Sequence, residues 1–252
     1  MAVIWQKHIA GRKYEVRSAG QTRRLYTNGV CHSEFNPNKM VTGSIWDLLV
    51  LPAFFYSQGQ IRRVLMLGVG GGASILQLHH LLQPDCICGV ELDSVHLDIA
   101  RRFFNVSVTS SELYESDARD WLQQYKGAPF DMIIDDLFID EGMEPVRAID
   151  ADTEWLGLIL KHLSVEGHLV INFGSDEEFL ASAYFNNHEI NQRFLSAFKL
   201  TSPLLDNIVG AFMGINTESK ILRENIIAHP VLGRALQSKR LRYRIRKMND
   251  QR

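Results

Sequence analysis

The stretch RRVLMLGVGGGASILQLHH, residues 62–80, places four glycines (68, 70, 71 and 72) within five positions. An apolar run precedes them and a helix-like run follows directly. Glycine inside a regular element costs roughly 0.5–1 kcal/mol relative to alanine, so such a cluster answers a steric demand. Two demands fit: a tight strand-to-helix turn, or backbone that must come close to a ligand. Either one puts the cluster at the carboxyl end of a buried strand, and the rest of the chain agrees.

Residues 1 to about 35 read as short strands, with a turn at Asn28-Gly29. Helical signals run from Gly43 to about Tyr56 and are interrupted by Pro52. From Ile61 onward apolar strands alternate with amphipathic helices. The strands are RRVLMLGV, CICGVEL, ELYES, FDMIIDDLF and GHLVINF, with a loop after the fourth. EEFLASAYFNNHEINQRFLSAF (177–198) reads as helical, and NIVGAFMGIN as a later strand. Apolar strands without alternation imply a parallel sheet covered on both faces, with ligands beyond the carboxyl ends of its strands. The fold class is therefore α/β, doubly wound, with a small N-terminal β extension. Residues 1–58 form that extension and its helix, 59–217 the Rossmann-like domain, and 218–252 a basic helical tail.

The tail matters because net charge hides it. The chain carries −2 overall, yet residues 218–252 hold ten Lys/Arg against three Asp/Glu. An acidic body of about −9 remains. Little aromatic interleaving accompanies the basic run, so it is expected to dock on the acidic body, and nucleic acid is not expected as a partner. Three cysteines (31, 86 and 88) form no disulfide or zinc pattern, and Cys86 and Cys88 share one strand face. No metal site is expected. The N-terminus shows no signal peptide and no apolar run reaches membrane-spanning length, which makes the cytoplasm the expected compartment.

Four strand ends carry chemistry. The first is the glycine turn. The second ends in Glu91-Leu92-Asp93, about twenty residues on, where an acid can accept from both ribose hydroxyls of a nucleotide. Asp93 is expected to cap the next helix. The third leads into Asp117-Ala118, which can read an adenine amino group and ring nitrogen, while Asp117 equally suits a helix cap. The fourth ends in Asp135-Asp136, facing whatever the glycines hold. GVGGGA also fits a dinucleotide fingerprint, but no hydride-transfer pair or second substrate domain follows. The reading that remains is S-adenosylmethionine.

VLMLGVGGGASILQL, VELDSVHLDIARRFF, YESDARDWL and FDMIIDDLF, together with YTNGVCHSE near the front, resemble successive blocks of the spermidine synthases. These are the aminopropyltransferase branch of the class I methyltransferase fold. The resemblance implies a seven-stranded sheet and a homodimer. It also implies roles: Gly68 and Gly70 along the cofactor's amino-acid chain, Glu91 on the ribose, Asp117 and Ala118 on adenine, and Asp136 as the base for the attacking amine. Asp135 goes with the cofactor-binding group, and His32 stands where the family has a cofactor-contacting glutamine. Three positions depart. Gly71 replaces the aspartate of Gly-Gly-Gly-Asp-Gly, LFID follows Asp136 without the family's proline, and Trp46-Asp47 takes the place of the gate Tyr-His pair. This pattern implies a spermidine synthase-like methyltransferase acting on an unidentified small-molecule or protein acceptor. The alternatives are an aminopropyltransferase using decarboxylated S-adenosylmethionine and a non-catalytic nucleoside-binding protein.

Overall fold

Strands β1 (Ala2–Ile9), β2 (Arg12–Ala19), β3 (Thr22–Thr27) and β4 (Val30–Phe35) form an antiparallel meander in sequence order. Asn28 and Gly29, both at positive φ, make the β3–β4 turn. The computed structural model describes residues 1–141 and 144–248, without the side chains of 140, 141 and 144. After the meander come helix α1 (Ile45–Val50) and a 3-10 turn (Leu51–Phe55). The turn is tightened where Pro52 cannot donate to a regular helix.

The central sheet is built from β5 (Arg63–Leu67), β6 (Cys86–Glu91), β7 (Ser111–Glu115), β8 (Phe130–Asp135) and β11 (Leu163–Phe173), all parallel. Helices α2 (Ala73–Leu82), α3 (Ser94–Phe103), α4 (Ala118–Gln124) and α5 (Thr153–Leu160) provide the crossovers. Side chains from successive strand positions divide between two cores. Val64 and Met66 enter one, Leu65 and Leu67 the other, as strand alternation requires. Cys86 and Cys88 lie on the same face as free thiols, their sulfurs 3.7 Å apart.

Three stretches differ from the sequence reading. The segment after β8 is a hairpin, β9 (Phe138–Glu141) with β10 (Glu144–Arg147), rather than a loop. The stretch 177–198 is broken into α6 (Asp176–Ala181), α7 (Ala183–Asn186) and α8 (His188–Gln192), and ends in strand β12 (Ser196–Thr201). Ser182 and Asn187 take extended backbone at the helix junctions, and Asn187 caps α8 by accepting from the Ile190 N–H. Strand β12 pairs antiparallel with β13 (Ile208–Met213), and β13 with β11. The tail is helical only in part. After α9 (Ser219–Ala228) and α10 (Pro230–Gln237), β14 (Arg244–Met248) pairs antiparallel with β12.

The central sheet therefore has eight strands rather than seven, in the order β14-β12-β13-β11-β8-β5-β6-β7. From β5 the chain runs outward through β6 and β7, then returns to add β8 and β11 on the other side. The carboxyl ends of β5 and β8 flank the point of reversal, where α/β sheets open a crevice. No helix among the described residues is long and apolar enough to cross a membrane.

Candidate functional site

The glycine loop sits at this crevice, and its conformation explains its composition. Gly68 has φ +85, and a Cβ there would collide with the backbone carbonyl of Asp136. Gly70 has φ +54, and a Cβ would lie 2.5 Å from the His32 carbonyl oxygen. Side chains are excluded at both positions by backbone from the β8 end and from β4. Gly71 has no such φ, but a Cβ would come 2.7 Å from that of Ser33 and 2.9 Å from the Phe104 ring. Its N–H donates to Ser33 Oγ at 2.9 Å. Position 71 thus points into packed protein, away from the cavity.

Glu91, at the end of β6, ties this loop down. Its Oε2 accepts from the N–H groups of Val69 (2.9 Å) and Gly70 (2.8 Å), and Oε1 accepts from Asp93 N–H at 2.9 Å. A carboxylate has about four lone-pair sites, so one remains on Oε1. Asp93 caps α3 by accepting from Val95 N–H, as expected. It also accepts from the Tyr14 hydroxyl at 2.7 Å, which brings the meander against the crevice. Asp117 caps α4, its Oδ1 accepting from the N–H groups of Arg119 and Asp120, with Ala118 as the first helical residue.

The two adjacent aspartates part company. Asp136 lines the cavity, but Asp135 does not, which corrects its placement with the cofactor-binding residues. Fully buried on the opposite face, Asp135 accepts from Arg147 Nη2 and Trp155 Nε1, both at 2.8 Å. Asp136 Oδ1 accepts from Asn172 Nδ2 at 2.7 Å, and Asn172 Oδ1 accepts from Asn207 Nδ2 at 3.1 Å. Burial pushes the Asp136 carboxyl up from 3.8 to about 7; the Asn172 bond opposes the shift and the negative charge of Asp135 adds to it. A carboxylate poised there suits a general base at neutral pH.

Together these residues enclose a cavity of about 700 Å³, within the range of small-molecule sites. Gly68, Gly70, Glu91, Asp117, Ala118, His32 and Asp136 all line it. His32 packs against His96 with ring centroids 5.0 Å apart. Trp46 lines the cavity as well, whereas Asp47 does not. Asp47 accepts from the N–H groups of Thr42 and Gly43 and from Gln77 Nε2, and so fastens the start of α1 to α2. Asn172 and Asn207 escaped the sequence reading. The only signal for Asn172 is one amide near the end of an apolar strand, and Asn207 carries none.

No family model and no curated protein matches this sequence. Solved structures do match in three dimensions. A probable spermidine synthase from Corynebacterium glutamicum superposes with a TM-score of 0.70 at 16% identity, over 92% of this chain and 89% of that one. A spermidine synthase in complex with the transition-state analogue AdoDATO gives 0.64 at 13%, over 90% and 78%. Human methyltransferase-like protein 13 in complex with SAH gives 0.59 at 18%, over 82% and 95%. At these identities the likeness is one of fold.

Proposed function

This chain has the spermidine synthase-like, class I methyltransferase fold, and we propose that it is a transferase whose donor is S-adenosylmethionine and whose transferred group is the methyl. The donor class is supported by the ligands of the structural neighbours, AdoDATO and SAH, and by the convergence of the glycine loop, Glu91, Asp117 and Asp136 on one cavity. In this reading the free lone pair of Glu91 takes one ribose hydroxyl. The second hydroxyl is accommodated only if a loop N–H lets go. Asp117 and the Ala118 backbone meet the adenine edge, and the glycine loop passes the amino-acid chain. The acceptor's lone pair forms the bond to the methyl carbon as the sulfonium–carbon bond breaks. Its proton goes to Asp136, held in place by Asn172.

The feature that favours methyl over aminopropyl transfer is that the glycine loop turns no carboxylate toward the cavity: position 71, where the spermidine synthase motif has aspartate, is glycine and faces packed protein. A carboxylate beside the methionine carboxylate would repel it by about 4 kcal/mol at 4 Å and an effective dielectric near 20. Here position 71 carries no carboxylate, and Ser33 and Phe104 leave no room for one. Gly71→Asp would therefore report on packing rather than on donor choice. The test is competition binding on the parent protein, which is expected to hold intact S-adenosylmethionine at least as tightly as its decarboxylated form. A clear preference for the decarboxylated ligand would restore the aminopropyltransferase reading.

A further inference from the structure

Glu91 already accepts from three backbone N–H groups, so taking both hydroxyls of a ribose would free part of the glycine loop. A second polar group stands beside it. His96, in the first turn of α3, is buried and lines the cavity. Its ring is anchored on one side, where Nε2 lies 2.8 Å from Oγ1 of Thr27 at the end of β3. The Tyr14 ring meets it edge-on, with centroids 5.8 Å apart. Its other nitrogen, Nδ1, is 4.0 Å from Glu91 Oε2, a gap too long for a hydrogen bond. Among the described residues Nδ1 has no hydrogen-bond partner.

We propose that His96 is a second ribose-binding residue: its Nδ1–H donates to one hydroxyl while Glu91 Oε1 accepts from the neighbouring one, and Thr27 sets the ring. This rests on the transferase reading above and replaces the release of a loop N–H in it. The position of the proton on an imidazole is fixed by the partner of the other nitrogen. The Thr27 hydroxyl can donate to Nε2, which leaves the proton on Nδ1, and the nearby Glu91 carboxylate favours it there. Vicinal hydroxyls need two partners side by side, and Nδ1 and the carboxylate supply them. All three bonds from Glu91 to the backbone then persist, and the glycine loop keeps its conformation when the nucleoside binds. A buried donor left unpaired is costly, so the site rejects a nucleoside that lacks the matching hydroxyl.

The test is calorimetric titration of the full chain with S-adenosylhomocysteine and with its 2′-deoxy and 3′-deoxy adenosyl analogues. The parent is expected to bind each analogue at least about tenfold more weakly than the complete ligand. His96→Phe keeps a ring in place but has no donor. It is expected to weaken S-adenosylhomocysteine about tenfold and to bind one analogue within about twofold of it, while the analogue lacking the Glu91 hydroxyl keeps its penalty. Thr27→Val keeps the imidazole and removes its anchor. It is expected to shrink the penalty of the same analogue at least about threefold, which decides the matter even if the phenylalanine variant does not fold. Either analogue matching S-adenosylhomocysteine on the parent would overturn the proposal, as would penalties that the folded variants leave unchanged. If S-adenosylhomocysteine itself fails to bind the parent, the transferase reading falls first, and this inference with it.

Discussion

Asp135 and Asp136 are neighbours in sequence and strangers in space, because side chains at the end of a strand still alternate between its two faces. Asp135 meets Arg147, whereas Asp136 meets Asn172 and the cavity. Asp136→Asn is expected to reduce transfer by about 10²–10⁴-fold while S-adenosylhomocysteine affinity stays within about twofold, read by a turnover assay and calorimetry. The substitution also has a stability signature. Because folding raises this carboxyl from 3.8 to about 7, the folded chain holds the proton more tightly than the unfolded one. The resulting stabilisation is complete below about pH 4 and is lost as pH rises through about 7. An amide at this position does not ionise, so the Tm of the Asp136→Asn variant relative to the parent is expected to climb between about pH 5.5 and about pH 8.5. An unchanged difference across that range would show that the carboxyl is not perturbed by burial. Glu91 gives the converse case. A glutamine there would offer one acceptor oxygen to three backbone N–H groups and set an NH₂ against the rest. Glu91→Gln is expected to weaken S-adenosylhomocysteine binding at least about tenfold and to cost about 1–3 kcal/mol of stability, measured by calorimetry and denaturant unfolding.

Arg147, at the end of β10, fastens the β9–β10 hairpin to the sheet. Arg147 is almost fully buried and donates to Asp135 Oδ2 at 2.8 Å and to the carbonyls of Asn172 (2.6 Å) and Ile149 (2.8 Å). Removing one partner of such a pair leaves an uncompensated buried charge. Arg147→Met is therefore expected to cost about 3–5 kcal/mol, and Asp135→Leu combined with Arg147→Met less than Arg147→Met alone. Urea unfolding of the parent, Arg147→Met, Asp135→Leu and the double variant checks this, and additive losses would mean that the pair is not coupled. Strands β5, β6, β8 and β11 were legible in the sequence because buried parallel strands read as apolar runs between helices, whereas the polar edge strand β7 was legible only from its place between two helical segments. The hairpin was not, since FIDE and EPVR offer acids and a proline where a strand signal needs alternation. Strand β12 was masked because SAFKLT follows a helical pattern with no strong breaker, although Ala197, Phe198 and Leu200 are fully or almost fully buried. At the site, the glycines, Glu91, Asp117 and Asp136 were legible because spacing after a buried strand fixes where they stand. Asn172 and Asn207 were not, because their meaning comes from tertiary contact, Asn172 with Asp136 and Asn207 with Asn172. The bonds from Glu91 to the glycine loop were hidden for the same reason.

At the scale of the whole chain, the charge asymmetry suggests an attachment that the structure does not use. The ion pairs of the tail's cations among the described residues, Lys220–Glu224 and Lys247–Glu218, lie within the tail itself. Attachment to the body comes instead from burial and backbone pairing. Leu222 and Ile226 are fully buried, Asn225 Nδ2 donates to the Phe54 carbonyl at 2.8 Å, and β14 continues the ladder along β12. Arg242, Arg244 and Arg246 are exposed at alternate positions of the outermost strand region. Charges there discourage another chain from adding to the free sheet edge. Two variants separate the contributions of burial and charge. Truncation after Thr217 uncovers the apolar seat of α9 and the β12 edge. It is expected to lower Tm by at least about 10 °C, at about 2–4 °C per kcal/mol for a chain of this size. Replacing the three arginines by glutamine keeps burial and ladder intact, so Tm should stay within a few degrees while self-association on concentration rises, as light scattering would show. If the triple variant melted as low as the truncation, charge rather than burial would hold the tail. The same pair of proteins tests whether the arginines serve nucleic acid. Binding to a single-stranded RNA by the parent is expected to be weak, and the arginine variant should bind no differently. Tight binding that falls steeply with salt and disappears in the variant would instead mark counterion release at those arginines, and would give the edge a partner.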